Sequence, residues 1–175
     1  MEEISMLNKN VSSAMNKQIN AEAYSAYLYL SMEAYFKDQG LDGMANWMHI
    51  QAMEEMTHAM KFFNHIAERD ARIELDVIEK PPAEWSSPLD VFKTVYEHEQ
   101  KVTGMINELM NLAIKEGDHA SQAFLQWFVN EQVEEEASAK EILDNLHLIG
   151  NNAQGLFMIN RELGGRAFTP PATGE

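Results

Sequence analysis

Four glutamates stand at positions where the helical pattern of the sequence predicts apolar side chains. They are Glu22, Glu55, Glu99 and Glu135. Each lies near the middle of a long tract without proline. In each tract, mostly apolar residues spaced three or four positions apart form one face of a helix, and the glutamate lies on that face. Ionised carboxylates inside a helical bundle lose hydration and repel one another, so such a group needs raised pKa values or bound cations. The four positions therefore predict a buried site for metal ions.

A histidine adds a nitrogen ligand to this set. His58 follows Glu55 by one helical turn, the spacing at which both side chains reach one ion from one face. Two divalent cations balance four carboxylates, and neutral imidazole leaves that balance unchanged. Oxygen ligands with one imidazole and no sulfur favour Fe(II) or Mn(II) over structural zinc, Cu(I) or calcium. The corresponding part of the last long tract lacks histidine, so we expect a second, more weakly held ion assisted by Gln132.

Composition limits the classes of protein and partner. The 175 residues carry 28 acidic and 13 basic side chains, a net charge of -15, and no cysteine. This charge repels phosphates, so we expect neither nucleic acid nor a membrane surface as a partner. The missing cysteines exclude disulfides, thiolate nucleophiles and iron–sulfur clusters. Without a long apolar run or a basic leader at Met1, the sequence predicts a cytoplasmic protein.

Glycine and proline divide the chain into helical tracts. Ser87 and Pro88 suit the first turn of a helix, whereas Gly40, Gly117 and Gly150 suit left-handed helix ends. We predict four long helices and a short fifth one, over residues 4–39, 43–71, 89–116, 119–149 and 153–164. One domain would cover residues 1–165, followed by a flexible tail, 166–175.

The lengths of the connections predict the topology. Short turns join the first helix to the second and the third to the fourth, so each pair forms an antiparallel hairpin. The link over residues 72–87 is much longer. An extended segment of that length spans about 50 Å, enough to follow a long helix from end to end. The predicted fold is an all-α four-helix bundle with one long crossover and a short fifth C-terminal helix.

Several motifs, spread from about Ser5 to Leu163, resemble those of the non-haem ferritins of bacteria and archaea, which belong to the ferritin-like di-iron superfamily. They are Glu22-Ala23-Tyr24-Ser25, Gln51-Ala52-Met53-Glu54-Glu55-Met56-Thr57-His58-Ala59, His98-Glu99, and Phe124-Leu125-Gln126-Trp127-Phe128 leading to Glu131-Gln132-Val133-Glu134-Glu135. The resemblance implies a ferroxidase centre in which Glu55 bridges two irons. The implied ligands of the first iron are Glu22, Glu55 and His58, and those of the second are Glu55, Glu99, Glu135 and Gln132.

Further roles follow only from this resemblance. The family places a third iron beside the pair, at positions matched by Glu54, Glu131 and Glu134, and a tyrosine near the centre, matched by Tyr29, that supplies an electron. The implied function is iron storage and detoxification. Fe(II) would be oxidised to Fe(III) by dioxygen or peroxide and stored as a ferric mineral in a hollow shell of copies of this chain, usually twenty-four.

Three other functions compete with this interpretation. A di-iron enzyme of the oxygenase or rubrerythrin kind would form a small oligomer, whereas storage requires a shell of several hundred kilodaltons. A metal-free acidic helical protein would melt at the same temperature with and without divalent metal. A small DNA-protecting ferritin relative builds its site between subunits, whereas this chain carries a full ligand set.

Some assignments stay open at this stage. We expect no haem, although Met56 matches the region of an axial methionine in haem-binding relatives. The apolar edge of the fifth helix would pack on its own bundle or line a symmetry axis, and the resemblance favours the axis. Alternation at Ile73, Leu75 and Val77 is typical of a strand that pairs with a neighbouring subunit. The other five histidines are expected at the surface or behind the ligands.

Overall fold

The computed structural model describes residues 6–170, and in that range it contains helices and no β-strand. The helices are α1 Lys9–Asp38, α2 Asp42–Glu68, α3 Pro88–Lys115, α4 His119–Ile149 and α5 Ala153–Leu163. The predicted four long helices and short fifth helix are confirmed. Helix α1 begins later than the predicted residue 4, because the Asn8 side chain caps it by accepting hydrogen bonds from the backbone amides of Asn10 and Val11.

The helix ends follow the predicted local chemistry. Ser87 Oγ accepts a hydrogen bond of 3.1 Å from the backbone amide of Asp90, with Pro88 in the first turn of α3. The φ angles are 70° at Gly40, 67° at Gly117 and 52° at Gly150. Such positive angles favour glycine, and here they end α1, α3 and α4 at short turns.

Contacts along α1 establish the direction of α3. Asn8, before the start of α1, donates to Glu116 at the end of α3, whereas Phe36 near the end of α1 packs on Phe92 near the start of α3. Helices α1 and α3 are therefore antiparallel. Since α1 and α2 form an antiparallel hairpin, α2 and α3 are parallel, as the crossover predicts.

The crossover lies against the outer side of α1 and is held by side-chain amides. The Asn16 amide donates to the carbonyl of Arg72, and the Asn20 amide to the carbonyls of Asp76 and Val77, all within 3.1 Å. The backbone carbonyls are thus satisfied by α1. Within the single chain residues 73–77 form no strand, and Leu75 and Val77 are both exposed. The pairing of this segment with a neighbouring subunit stays a prediction.

Two apolar clusters form the core, with a polar layer between them. One contains Phe36, Met48 and Phe92, and the other contains Phe62 and Phe128. Between the clusters, around the middle of the bundle, lie buried polar side chains: Gln18, Glu22, Ser25, Gln51, Glu55, His58, Glu99, Gln132 and Glu135. The bundle therefore encloses a polar site insulated by apolar packing at both ends.

Helix α5 packs against its own bundle. Its predicted apolar edge, Leu156, Ile159 and Leu163, is partly buried against the first apolar cluster. Of the two arrangements expected, packing on its own bundle is therefore observed, and a place at a symmetry axis stays a prediction. Arg166, which the sequence placed in the flexible tail, contacts Trp47 and Glu54. The rest of the tail from residue 171 lies outside the described residues, and the domain boundary stays a prediction.

No helix in residues 6–170 combines the length and the apolar character that crossing a membrane requires.

Candidate metal centre

All five residues derived from the helical pattern meet in the polar layer. Glu22 comes from α1, Glu55 and His58 from α2, Glu99 from α3 and Glu135 from α4. Their exposed fractions lie between 1% and 6%. One ligand atom from each of Glu22, Glu55 and His58 lies within 4.8 Å of the others, and the same holds for Glu55, Glu99 and Glu135. The two groups share Glu55, as expected of a carboxylate between two ions.

A third group of ligand atoms extends the site toward the surface. It contains His58, Glu131 and Glu135, again within 4.8 Å of one another. The His58 ring has Nδ1 3.5 Å from Glu55 and Nε2 4.0 Å from Glu131. Trp127 packs edge-on against this ring, with 5.4 Å between centroids. His58 therefore stands between the central and the outer carboxylates.

The three residues assigned to a third iron occupy different environments. Glu131 is half-buried beside His58, whereas Glu134 is exposed. Glu54 is half-buried, and its Oε2 lies 2.6 Å from Arg166 Nη2. Neither Glu54 nor Glu134 contributes an atom to the metal-sized groups found among residues 6–170. Of the three, only Glu131 is thus brought into a compact ligand group.

Glutamine amides orient three of the four central carboxylates. Gln18 Nε2 donates to Glu22 over 2.8 Å, and Gln51 Nε2 donates to Glu135 over 2.9 Å. Gln132 Nε2 lies 3.2 Å from Glu99 Oε2, so its amide nitrogen points at the second ligand group. The ligand role assigned to Gln132 requires its Oε1 atom instead, and it stays a prediction.

Sequence reasoning assigned no role to Gln18 and Gln51. Both are buried, Gln18 on α1 and Gln51 on α2. A buried amide one turn from a buried acid is the signal that would have identified them, because buried polar groups need hydrogen-bond partners. These contacts fix the carboxylate rotamers behind the ligand atoms.

Tyr29 lies directly behind the second group of carboxylates. Its side chain is completely buried, and its hydroxyl donates to Glu99 Oε1. The ring packs edge-on against Trp47 and His98. His98 Nε2 lies 2.7 Å from Ser25 Oγ, and this histidine is therefore behind the ligands, as expected. Burial lowers its pKa to about 4, so the ring is neutral.

Burial makes every central carboxyl reluctant to ionise. It raises the pKa of Glu22, where the charge of Glu55 adds to the effect, and it raises the pKa of Glu55. Burial and the charge of Glu99 raise the pKa of Glu135 to about 8. At Glu99 burial again raises the pKa, while hydrogen bonds from Tyr29 and Gln132 oppose the rise. The metal-free site therefore retains protons at neutral pH, and cations would displace them.

An unpaired oxygen shows that the donor set suits cations. Glu22 Oε2 is buried without a hydrogen-bond partner, as is Gln51 Oε1. An unsatisfied buried acceptor destabilises a fold. A cation at the Glu22, Glu55 and His58 group would give this carboxylate oxygen a partner. The number and kind of ligands fit a hard or borderline divalent ion.

A bundle of this topology with a buried carboxylate and histidine centre defines a ferritin-like protein. The chain matches the ferritin-like domain family over residues 12–149 and belongs to that family. It is 42% identical over 161 residues to a bacterial non-heme ferritin of Bacteroides fragilis, covering 92% of this chain and 100% of the relative. It is also 42% identical over 159 residues to a probable bacterial non-heme ferritin-like protein of Haemophilus influenzae, covering 91% and 96%.

Solved structures give the same result. The chain is similar to an open pore ferritin of the archaeon Archaeoglobus fulgidus, with a TM-score of 0.92 and 50% identity over 94% of this chain and 100% of that one. An engineered closed form of the ferritin from that archaeon has a TM-score of 0.92 and 52% identity over 93% and 99%. The resemblance to bacterial and archaeal non-haem ferritins, drawn from the sequence motifs, is confirmed.

Proposed function

We propose that this chain stores and detoxifies iron by oxidising Fe(II) at its buried centre. The observation that carries the proposal is the sharing of Glu55 between two compact ligand groups that together use residues of all four long helices. Family membership and similarity to ferritins support the storage role. In this proposal iron is the substrate, and the protein supplies the ligands.

Charge explains why two ferrous ions suit the centre. Four ionised carboxylates carry four negative charges, and two Fe(II) ions balance them. The first ion would take Glu22, Glu55 and His58, and the second Glu55, Glu99 and Glu135. The second ion lacks a nitrogen ligand, so we expect it to bind more weakly and to exchange faster.

The oxidation step is a two-electron reaction. Each of two Fe(II) ions loses one electron. Dioxygen accepts both electrons with two protons and becomes hydrogen peroxide, or peroxide accepts them with two protons and becomes two waters. Because the irons gain two positive charges, hydroxide or oxide from water must join them, and the hydrolysed Fe(III) product then leaves. Tyr29, hydrogen-bonded to Glu99, is the side chain proposed to supply an electron in place of one iron. It would lose its phenolic proton with that electron and become a neutral radical, so two electrons still reach the oxidant.

Storage implies an assembly around the product. We propose a homo-oligomeric shell of twenty-four chains in the cytoplasm, with a ferric mineral inside and no haem. Glu54, Glu131 and Glu134 are proposed to hold a third iron on its way out of the pair. Exposed apolar side chains support self-association, among them Leu75, Val77 and Phe157.

Anaerobic titration with Fe(II), followed by exposure to dioxygen, tests the proposal. We expect the wild-type protein to bind two Fe(II) per chain at the central pair, with a weaker third, and to oxidise the central two. Glu55→Ala should lose both binding equilibria, because the carboxylate is shared, whereas His58→Ala should weaken mainly the first. Each variant should oxidise Fe(II) at least tenfold more slowly.

Glu108→Gln is the matched control, since Glu108 is exposed on α3 and removal of its charge leaves the centre intact. It should bind and oxidise iron as the wild type does. Unchanged binding and oxidation in both Glu55→Ala and His58→Ala would refute the assignment.

A further inference from the structure

The C-terminal end of α5 is fixed to the start of α2 by close backbone packing. Gly43 leaves no room for a side chain, because a Cβ atom there would lie 1.6 Å from the carbonyl oxygen of Asn160. Asn160 Oδ1 accepts a 3.0 Å hydrogen bond from the Met44 amide. The Asn46 side-chain amide donates to the carbonyls of Leu163 at 3.3 Å and Arg166 at 2.9 Å. These contacts fix the backbone of Arg166 against α2.

The Arg166 side chain extends from this anchor along α2 toward the metal centre. Its guanidinium lies 4.9 Å from the centroid of the Trp47 ring, a cation–π contact. Its Nη2 lies 2.6 Å from Glu54 Oε2. Both side chains of this ion pair are about one quarter exposed. Arg166 therefore connects α5 to the residue that directly precedes the shared ligand Glu55.

Glu54 is one of the three acids, with Glu131 and Glu134, proposed to hold a third iron. Its carboxylate is occupied by Arg166, whereas Glu131 lies 4.0 Å from His58 Nε2 and belongs to a compact ligand group with His58 and Glu135. Without the guanidinium, Glu54 would be one more anion in a group that already repels itself, and that group would attract a cation more strongly.

We propose that Arg166 is a positioning residue that occupies Glu54 and thereby limits the binding of a divalent cation at the outer acids Glu54 and Glu131. The proposal rests on the proposed function. It adds that Arg166 controls how strongly a third metal ion binds next to the central pair. A guanidinium neutralises the carboxylate as a metal ion would, so the two compete for the same oxygen atoms. An ion can enter only when Arg166 turns away.

Two features of the structure allow the ion pair between Arg166 and Glu54 to break. When Arg166 is paired with Glu54, its Nη1 atom is buried and has no hydrogen-bond partner. The ion pair therefore leaves one donor of the guanidinium unsatisfied. The partly exposed side chain can exchange that position for water without moving α5, because the backbone is held separately by Asn46. Arg166 therefore acts as a displaceable counterion.

Calorimetric titration of the metal-free, full-length assembly with Zn²⁺, which is redox-inert, tests the proposal. The wild type should show two strong equilibria per chain and a weaker third. In Arg166→Ala the third should strengthen at least fivefold, while the first two change less than twofold. Arg166→Lys retains the charge and should keep the third equilibrium within twofold of the wild type.

Two further variants separate the ion pair from general charge and folding effects. Arg161→Ala removes the same charge from an exposed position on α5 and should leave all three equilibria within twofold. Arg166→Ala combined with Glu54→Gln should cancel the gain, because the gain depends on Glu54. If Arg166→Ala does not assemble, Arg166→Gln takes its place with the same expectation.

The outcomes distinguish this proposal from the function on which it rests. Two intact strong equilibria with an unchanged third in the arginine variants would overturn the role of Arg166 alone. A gain that persists in the double variant would overturn it too. Absence of the two strong equilibria in the wild type would overturn the proposed function instead.

Discussion

Glu55 is the residue at which the electrostatics of the centre converge. Its side chain is 2% exposed and belongs to both central ligand groups. Burial raises its pKa, and the charges of Glu99 and Glu135 add to the rise. A carboxylate in this position is stable as an anion only when cations are present. The metal-free and metal-bound proteins should therefore differ in how stability depends on pH.

The pH dependence of the metal-free protein can be predicted from Glu135. A carboxyl whose pKa is raised to about 8 on folding keeps a proton that the unfolded chain has lost above about pH 4.3. The folded state then binds more protons, so the free energy of unfolding falls as pH rises toward 8. Each retained proton contributes about 1.4 kcal/mol per pH unit to this slope.

Denaturant unfolding with EDTA, at pH values between 5 and 8 and constant protein concentration, measures this slope. Glu135→Gln should flatten it, because the amide does not titrate. Glu108→Gln, the exposed control, should unfold with the wild-type slope. An identical slope in Glu135→Gln and the wild type would contradict the raised pKa.

At the scale of the elements, the short helix α5 depends on one glycine far from it in sequence. The backbone of Asn160 approaches Gly43 so closely that any side chain must displace α5 or the first turn of α2. The apolar edge of α5 adds contacts with the first core cluster. Together these contacts hold the anchor for Arg166.

Gly43→Ala should lower stability by about 1–3 kcal/mol, because the added methyl group overlaps backbone atoms that cannot move independently. Gly104→Ala is the control, since its Cβ would meet nothing within 4 Å in the interior of α3. It should raise stability by up to about 1 kcal/mol through helix propensity. Melting temperatures measure both effects, and equal values for the two variants would refute the packing argument.

At the scale of the whole molecule, the crossover and α5 expose large apolar side chains, as the long helices also do at positions such as Val133 and Leu148. On the crossover, Leu75 and Val77 are 72% and 69% exposed, and on α5, Phe157 and Met158 are 65% and 69% exposed. Exposed apolar pairs on these two elements favour contacts between molecules. Contacts from two different sides of a chain permit closed assemblies larger than a dimer.

Light scattering after size-exclusion chromatography tests the assembly. Twenty-four chains of 19.9 kDa give a mass of about 480 kDa. Leu75→Asp should shift the mass toward small species, because it places a charge in the proposed interface. Lys80→Gln changes the net charge equally on the same segment and should leave the assembly intact. A wild-type monomer or dimer would contradict the shell.

The sequence alone determined the helices, the crossover and the five residues of the candidate centre. These depend on local spacing: a period of three or four residues decides which side chains share a helix face, and glycine or a capping residue decides where the helix ends. The four glutamates could be recognised because they interrupt the apolar faces of their helices. The structure buries all of them: Glu22, Glu55, Glu99 and Glu135.

Only the tertiary structure decided which groups meet across the elements. Gln51 reaches Glu135 over 84 positions of sequence, and Arg166 reaches Glu54 over 112. The side-chain amides of Asn16 and Asn20 on α1 likewise reach the carbonyls of Arg72 and Asp76 on the crossover, over 56 positions of sequence. Pairings of this kind depend on the relative height and rotation of whole helices. Those are set by the sum of all packing contacts, and no local pattern of residues encodes them.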